Sequence, residues 1–71
     1  METNEIKQFF ANMRSDIKNA KTYKTLVYLE SHAKQYLQRL KDPALKPSIK
    51  KMAMKEFKRL QKDLKARQKQ L

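Results

Sequence analysis

Apolar residues recur at intervals of three or four along three separate segments of the chain. Each series falls on one face of a helix with about 100° per residue. The first series is Ile6, Phe10, Met13 and Ile17, with Phe9 beside it; the second is Leu26, Leu29, Ala33, Leu37 and Leu40, flanked by Tyr36; the third is Ile49, Ala53, Phe57, Leu60, Leu64 and Leu71, flanked by Met52. The pattern predicts helices over residues 4–19, 23–41 and 48–70 in one all-α domain of residues 1–71.

Polar residues and prolines set the expected helix ends. Thr3 and Thr22 are candidate N-caps, because a threonine hydroxyl can accept from the free amides of a first turn. Pro43 disfavours a helical Asp42, so we expect a loop over residues 42–47, in which Asp42 caps a short turn. Leu45 should reach back to the core, and Pro47 suits the first turn of the third helix.

The junction between the first two helices is open to two interpretations. No glycine or proline separates them, so residues 4–41 could form one bent helix. We favour a break near Ala20, because extending the first series past Ala20 places Lys24 where an apolar residue is needed.

The predicted fold is a small three-helix bundle of two antiparallel helices and a longer basic third helix. The third helix should span about 36 Å and the first about 24 Å, so we expect the third to overhang or to dimerise. Leu64 and Leu71 would lie on that overhang, with Arg67 on the same face. The heptad-like spacing of this face suggests a contact with a partner or a second copy. The residues of this predicted seam are Leu60, Leu64, Arg67 and Leu71.

Composition narrows the function classes. The 71 residues include one histidine, no cysteine, no glycine and seven acids, with no His or Cys cluster at metal-ligand spacing. We therefore expect no enzyme activity, no metal and no cofactor. The first ten residues contain no long apolar run and no segment approaches a membrane span, so we expect a cytoplasmic protein without a signal peptide or transmembrane segment.

The net charge of +11 is concentrated towards the C-terminus, where residues 46–71 hold ten Lys or Arg and two acids. Six of these lysines recur at intervals of four and three on the side of the third helix opposite its apolar face. We call this set the lysine stripe: Lys51, Lys55, Lys58, Lys62, Lys65 and Lys69. Lys50 and Arg59 lie beside it. A solvated helix face is the simplest interpretation, but ordinary solvated faces mix both signs of charge, and this one nearly lacks acids.

The second helix carries a smaller polar face with candidate contacts Lys24, Tyr28 and Arg39. Tyr28 is out of phase with the apolar series and could stack on a base or remain a surface aromatic. His32 is expected to be a solvated surface residue, and Tyr23 and Tyr36 to lie at the core margin.

Two further residue sets have structural interpretations. Glu30 falls near the apolar series of the second helix, so we expect it either to pair with Arg14 or Arg67 across the bundle or a dimer, or to reach water at the core boundary. The aromatic and methionine residues of the first and third helices are expected to form core rather than a ligand pocket.

These observations favour a small basic binding protein that attaches to DNA or RNA through backbone phosphates, with weak sequence specificity. Lysine outnumbers arginine fourteen to four, and lysine is a point charge rather than a planar fork for base edges.

The alternative is an adaptor or inhibitor that docks its amphipathic C-terminal helix on an acidic protein surface. In size, charge and helical pattern the chain is similar to accessory proteins of phages and plasmids, a likeness of composition rather than of a motif. Binding to an anionic membrane surface is a third possibility, although the apolar face is needed for the bundle.

Overall fold

The computed structural model describes residues 3–71, which form three helices and no strand. The helices are α1 (Thr3–Asn19), α2 (Tyr23–Arg39) and α3 (Pro47–Gln70). The predicted all-α three-helix bundle is confirmed. α1 begins at Thr3 itself, so this threonine lies within the helix rather than before it, and α2 ends two residues earlier than predicted.

The junction between α1 and α2 is a tight break and not a bend in one helix. The amide of Ala20 donates to the carbonyl of Ile17, which closes the last turn of α1. Thr22 is extended, with φ −134° and ψ 154°, and its hydroxyl accepts from the amide of Thr25 at 3.3 Å. The predicted N-cap of α2 is therefore confirmed. None of the described residues has a positive φ, so this junction forms without the glycine that many helix ends require.

The loop between α2 and α3 is held by Asp42. Its side chain accepts from the amide of Ala44 at 2.9 Å, and its carbonyl accepts from the amide of Leu45 at 3.1 Å. Leu45 is half-buried against the core, as predicted. Lys46 is extended, and Pro47 opens α3, where its fixed φ fits and its missing N–H leaves no bond unmade.

The core lies between the three helices and contains no polar or charged residue among those described. It is formed by the predicted apolar series of the three helices, all of whose members except Leu71 are buried in it or packed against it. Leu37, Ile49 and Met52 are half-buried at its edge. The buried residues are Ile6, Phe10, Met13, Ile17, Ala20, Leu26, Leu29, Ala33, Leu40, Ala53, Phe57, Leu60 and Leu64.

Two positions differ from the prediction. Tyr23, expected at the core margin, is 61% exposed, whereas Tyr36 is half-buried as expected. Leu64, expected on an overhanging end of α3, is 2% exposed within the core. The overhang is short, because the Arg67 side chain still reaches the α1–α2 junction and exposed positions are continuous only over residues 69–71.

Arg67 near the end of α3 bonds to Ala20 just after α1, and Phe9 early in α1 stacks on Tyr36 late in α2. The chain therefore runs up, down and up, with α3 parallel to α1 and antiparallel to α2. The bundle measures 40 × 16 × 15 Å, and the long dimension matches the length of about 36 Å expected for a helix the size of α3. One full side of α3 therefore faces solvent over nearly the whole length of the molecule.

Candidate functional site

The lysine stripe forms a continuous row along the outer side of α3. Burial of Ala53, Phe57, Leu60 and Leu64 against α1 and α2 fixes the rotation of this helix. All six stripe lysines are consequently exposed. From Lys51 to Lys69 the row rises about 27 Å, with successive lysines about 4.5–6 Å apart along the axis.

The charge of the stripe is not neutralised within the part of the chain that the structure describes. Neither of the ion pairs among residues 3–71 includes a stripe lysine. The two acids of α3 sit on its flanks: Glu56 is largely buried and pairs with Arg59 at 3.8 Å, and Asp63 lines a hollow between α1 and α3. Like charges at this spacing oppose helix formation by tenths of a kcal/mol each, so a counter-charge on this face would stabilise the helix.

Lys50 and Arg59 flank the stripe on opposite sides of α3. Lys50 is half-buried and lines a groove shared with α2, whereas the side chain of Arg59 is 58% exposed beside Glu56. Lys50, Lys51 and Met54 also line a hollow on α3 together with two more stripe lysines, Lys55 and Lys58. The stripe and Lys50 therefore form one connected basic surface at the N-terminal half of α3.

The candidate residues on α2 form a separate group. Lys24, Tyr28 and Arg39 are all exposed, and Tyr28 is 66% exposed, in agreement with its predicted position away from the core. The Tyr28 ring lies 6.1 Å from the ring of His32. No hydrogen bond, ion pair or ring contact among residues 3–71 links this group to the lysine stripe, because each helix of the bundle turns its polar face outward in a different direction.

The seam predicted for a partner or a second copy is largely used within the chain. Leu60 and Leu64 are buried in the core, with exposures of 0% and 2%. The guanidinium of Arg67 donates from Nε and Nη2 to the carbonyl oxygen of Ala20, at 3.1 and 2.8 Å. Leu71, 51% exposed, is the seam residue that remains open to a partner.

Arg67 has a role that was not predicted, whereas Glu30 takes one of its two predicted positions, at the core boundary with its side chain 38% exposed. Glu30 pairs with Lys34 at 3.6 Å, one turn along α2, and not with Arg14 or Arg67. A signal for the Arg67 contact was present, since a heptad position facing the core held a cation and the nearby end of α1 lacked a glycine cap. Cations are favoured near such helix C-termini because the last carbonyls are free.

An aromatic cluster covers the side of the bundle between α1 and α2. The rings of Phe9 and Tyr36 stack at 3.8 Å, and the exposed ring of His32 meets Phe9 edge-on at 5.6 Å. Burial raises the pKa of the Tyr36 phenol, the carboxylate of Glu5 raises it further, and Arg39 opposes both effects. Spacing placed Phe9 and Tyr36 at the core margin but did not reveal that they stack on one another.

Residues 3–71 contain no group of three or more His, Cys, Asp or Glu side chains that could hold a metal ion. None of the helices in this range is both long and apolar enough to cross a membrane. Comparison of the chain with protein-family models, with curated proteins and with solved structures finds no match.

Proposed function

We propose that this protein is a small, basic, non-enzymatic binding protein that attaches to nucleic acid through the phosphate backbone. The observation that carries the proposal is the lysine stripe, a row of six exposed lysines without an ion-pair partner among residues 3–71. A regular row of one sign suits a ligand whose own charge repeats regularly, and a phosphate backbone is such a ligand.

The length and chemistry of the stripe support this ligand class. Its rise of about 27 Å corresponds to about eight base pairs of duplex. Each ammonium sits on a flexible stem, so the heads can adjust to phosphates without a fixed register. We expect binding that varies little with base sequence, because contacts to phosphates position a protein without reading bases.

The α2 group could add a second contact for a flexible single strand. Tyr28 offers an exposed ring for an unpaired base, with Lys24 and Arg39 exposed on the same helix. A rigid duplex lying along α3 would not need to reach this face. The main contribution is therefore assigned to the stripe, and the α2 group would favour single-stranded nucleic acid.

Docking of α3 on an acidic protein surface is the alternative. Leu71 is exposed at the end of the stripe and could anchor such a contact. Leu60 and Leu64 are buried, because the apolar face of α3 packs against α1 and α2. This face is therefore not available to a protein partner. A protein partner would meet the lysines and the C-terminal end rather than the whole amphipathic helix.

The test is a fluorescence-anisotropy titration of labelled generic duplex DNA and single-stranded RNA at about 50 and 200 mM salt. The wild type is compared with a triple variant, Lys55→Gln, Lys58→Gln and Lys62→Gln. The matched control is Lys7→Gln, Lys18→Gln and Lys21→Gln, which removes the same charge from exposed lysines outside the stripe.

We expect the stripe variant to bind at least about tenfold more weakly than the control, to a similar extent on unrelated sequences. Equal affinities for the two triple variants would contradict the proposal. Negligible binding of either nucleic acid by the wild type at low salt would favour the protein-docking alternative instead.

A further inference from the structure

A groove with an apolar floor runs between the C-terminal half of α2 and the N-terminal half of α3. Its volume is about 440 Å³. Because it is open to solvent, a side chain from another molecule could enter it without unfolding the bundle. The residues that form its floor are Leu37, Leu40, Ala53 and Met54.

Met54 makes this groove unlike an ordinary gap between helices. It lies outside the buried series of α3 and is 48% exposed. Met54 also borders the hollow that contains Lys51, Lys55 and Lys58, so the groove opens directly beside the lysine stripe. A methionine at such a position adapts its shape to apolar ligands, since its side chain is unbranched and polarisable.

Two further exposed apolar residues lie on α2, beyond the end of the groove. Val27 is 49% exposed and Tyr23 is 61% exposed. At about 100° per residue, both fall on the same flank of α2 as Leu37, within an arc of about 80°. The ion pair of Glu30 and Lys34 falls on the same flank between Val27 and Leu37, so Tyr23 and Val27 form a separate apolar patch and the groove itself is the candidate site.

The rim of the groove carries charge of one sign. Lys34, Lys41 and Lys50 line it, and none of its lining residues is acidic. The nearest acid along α2 is Glu30, which already pairs with Lys34. Asp63 lies on the opposite flank of α3, in the hollow against α1. An occupant must therefore combine apolar groups with negative charge.

We propose that this groove binds an acidic amphipathic helix of a partner protein. Its apolar side chains would lie on Leu37 and Met54, and its carboxylates would face the lysines of the rim. Helices commonly bind in this way, with an apolar stripe in a groove and charged residues at its edges. Duplex nucleic acid fits this site poorly, because its bases are stacked inside the helix and its phosphate backbone has no apolar face to bury there.

The inference is independent of the proposed function. Binding of phosphates by the lysine stripe requires only exposed positive charge, whereas binding of a helix in the groove requires an apolar floor as well. Lys50, which lines both the groove and the adjoining hollow, is left unchanged in the experiment below.

The test uses a fluorescein-labelled synthetic peptide of about 14 residues with leucines at i, i+3 and i+7 spacing and glutamates elsewhere on the helix. A control peptide has the same composition with its leucines dispersed around the helix. Binding is measured by anisotropy at about 150 mM salt, which screens simple charge attraction. The test variant is Met54→Gln, and the matched control is Leu71→Gln, a residue of similar exposure outside the groove.

We expect the patterned peptide to bind at least about tenfold more tightly than the dispersed peptide, and Met54→Gln to weaken it by about fivefold or more. Leu71→Gln should bind the peptide as the wild type does, and both variants should keep the wild-type circular dichroism and affinity for duplex DNA. Equal binding of the two peptides, binding of neither, or wild-type affinity in the Met54→Gln variant would overturn the inference. Failure of the wild type to bind both duplex DNA and single-stranded RNA would overturn the proposed function alone.

Discussion

Arg67 near the end of α3 binds the carbonyl of Ala20, 47 positions earlier in the chain, through two guanidinium nitrogens. The same side chain donates to Gln70 at 2.9 Å. This contact joins the C-terminal turn of α3 to the junction between α1 and α2. It supplies a hydrogen-bond partner to a carbonyl beyond the last turn of α1, a position where many helices rely on a glycine cap.

Replacing Arg67 with methionine should destabilise the bundle by about 1.5 kcal/mol, because two charge-assisted hydrogen bonds at a partly buried site are lost. Urea unfolding measures the change. Arg59→Met is the matched control on the same helix, and we expect it to change stability by less than about 0.5 kcal/mol, since the Arg59 side chain is 58% exposed and lies 3.8 Å from Glu56. Similar effects of the two substitutions would show that the Ala20 contact contributes little.

Leu64 and Leu71 should differ sharply in their contributions to stability. Leu64→Ala should destabilise the protein by about 2–4 kcal/mol, because it leaves a cavity in the core, whereas Leu71→Ala should have an effect below about 0.5 kcal/mol. Thermal unfolding of both variants compares them directly. An equal, small effect would mean that Leu64 is exposed in solution. An acidic substitution of Leu64 should unfold the chain, so only Leu71 variants can test partner docking at this end.

The Tyr36 phenol should titrate above its ordinary pKa of 10.0, because burial and Glu5 disfavour the phenolate. The folded-state pKa is raised, so this group's contribution to stability is complete below pH 10 and is lost as the pH rises through the folded-state value. The phenolate absorbance of the wild type minus that of Tyr36→Phe isolates this titration. A midpoint at or below 10.0 in the folded protein would contradict the packing of Tyr36 on Phe9.

The spacing of apolar residues was sufficient to predict the three helices, because this spacing can be recognised within each helix without knowing what the helix packs against. Local chemistry was sufficient for Thr22 and Asp42, whose side chains bond to amides two or three residues away. The outward position of the lysine stripe followed from the burial of the opposite face. These features all depend on contacts close in sequence or on the phase within one helix.

The errors concern how the helices meet. Tyr23 lies at the margin of the apolar arc of α2, where burial depends on the crossing of α2 and α3 and not on phase. Leu64 was predicted to lie on an overhang because α3 is longer than α1. Helix lengths alone do not show where α3 begins along the bundle axis relative to the ends of α1 and α2. The bonding of Arg67 to Ala20, and the groove between α2 and α3, require the relative positions of helices that a single sequence does not provide.

The salt dependence of duplex binding tests the account most directly. Each lysine–phosphate contact contributes about 0.9 to the slope of log K against log salt, so six contacts should give a slope of about −5. In the variant with Lys55, Lys58 and Lys62 changed to glutamine, the magnitude of the slope should fall by about 3. In the Lys7, Lys18 and Lys21 control the slope should stay close to that of the wild type. Equal slopes for the two triple variants would show that the charge of the whole protein, and not the lysine stripe, governs binding.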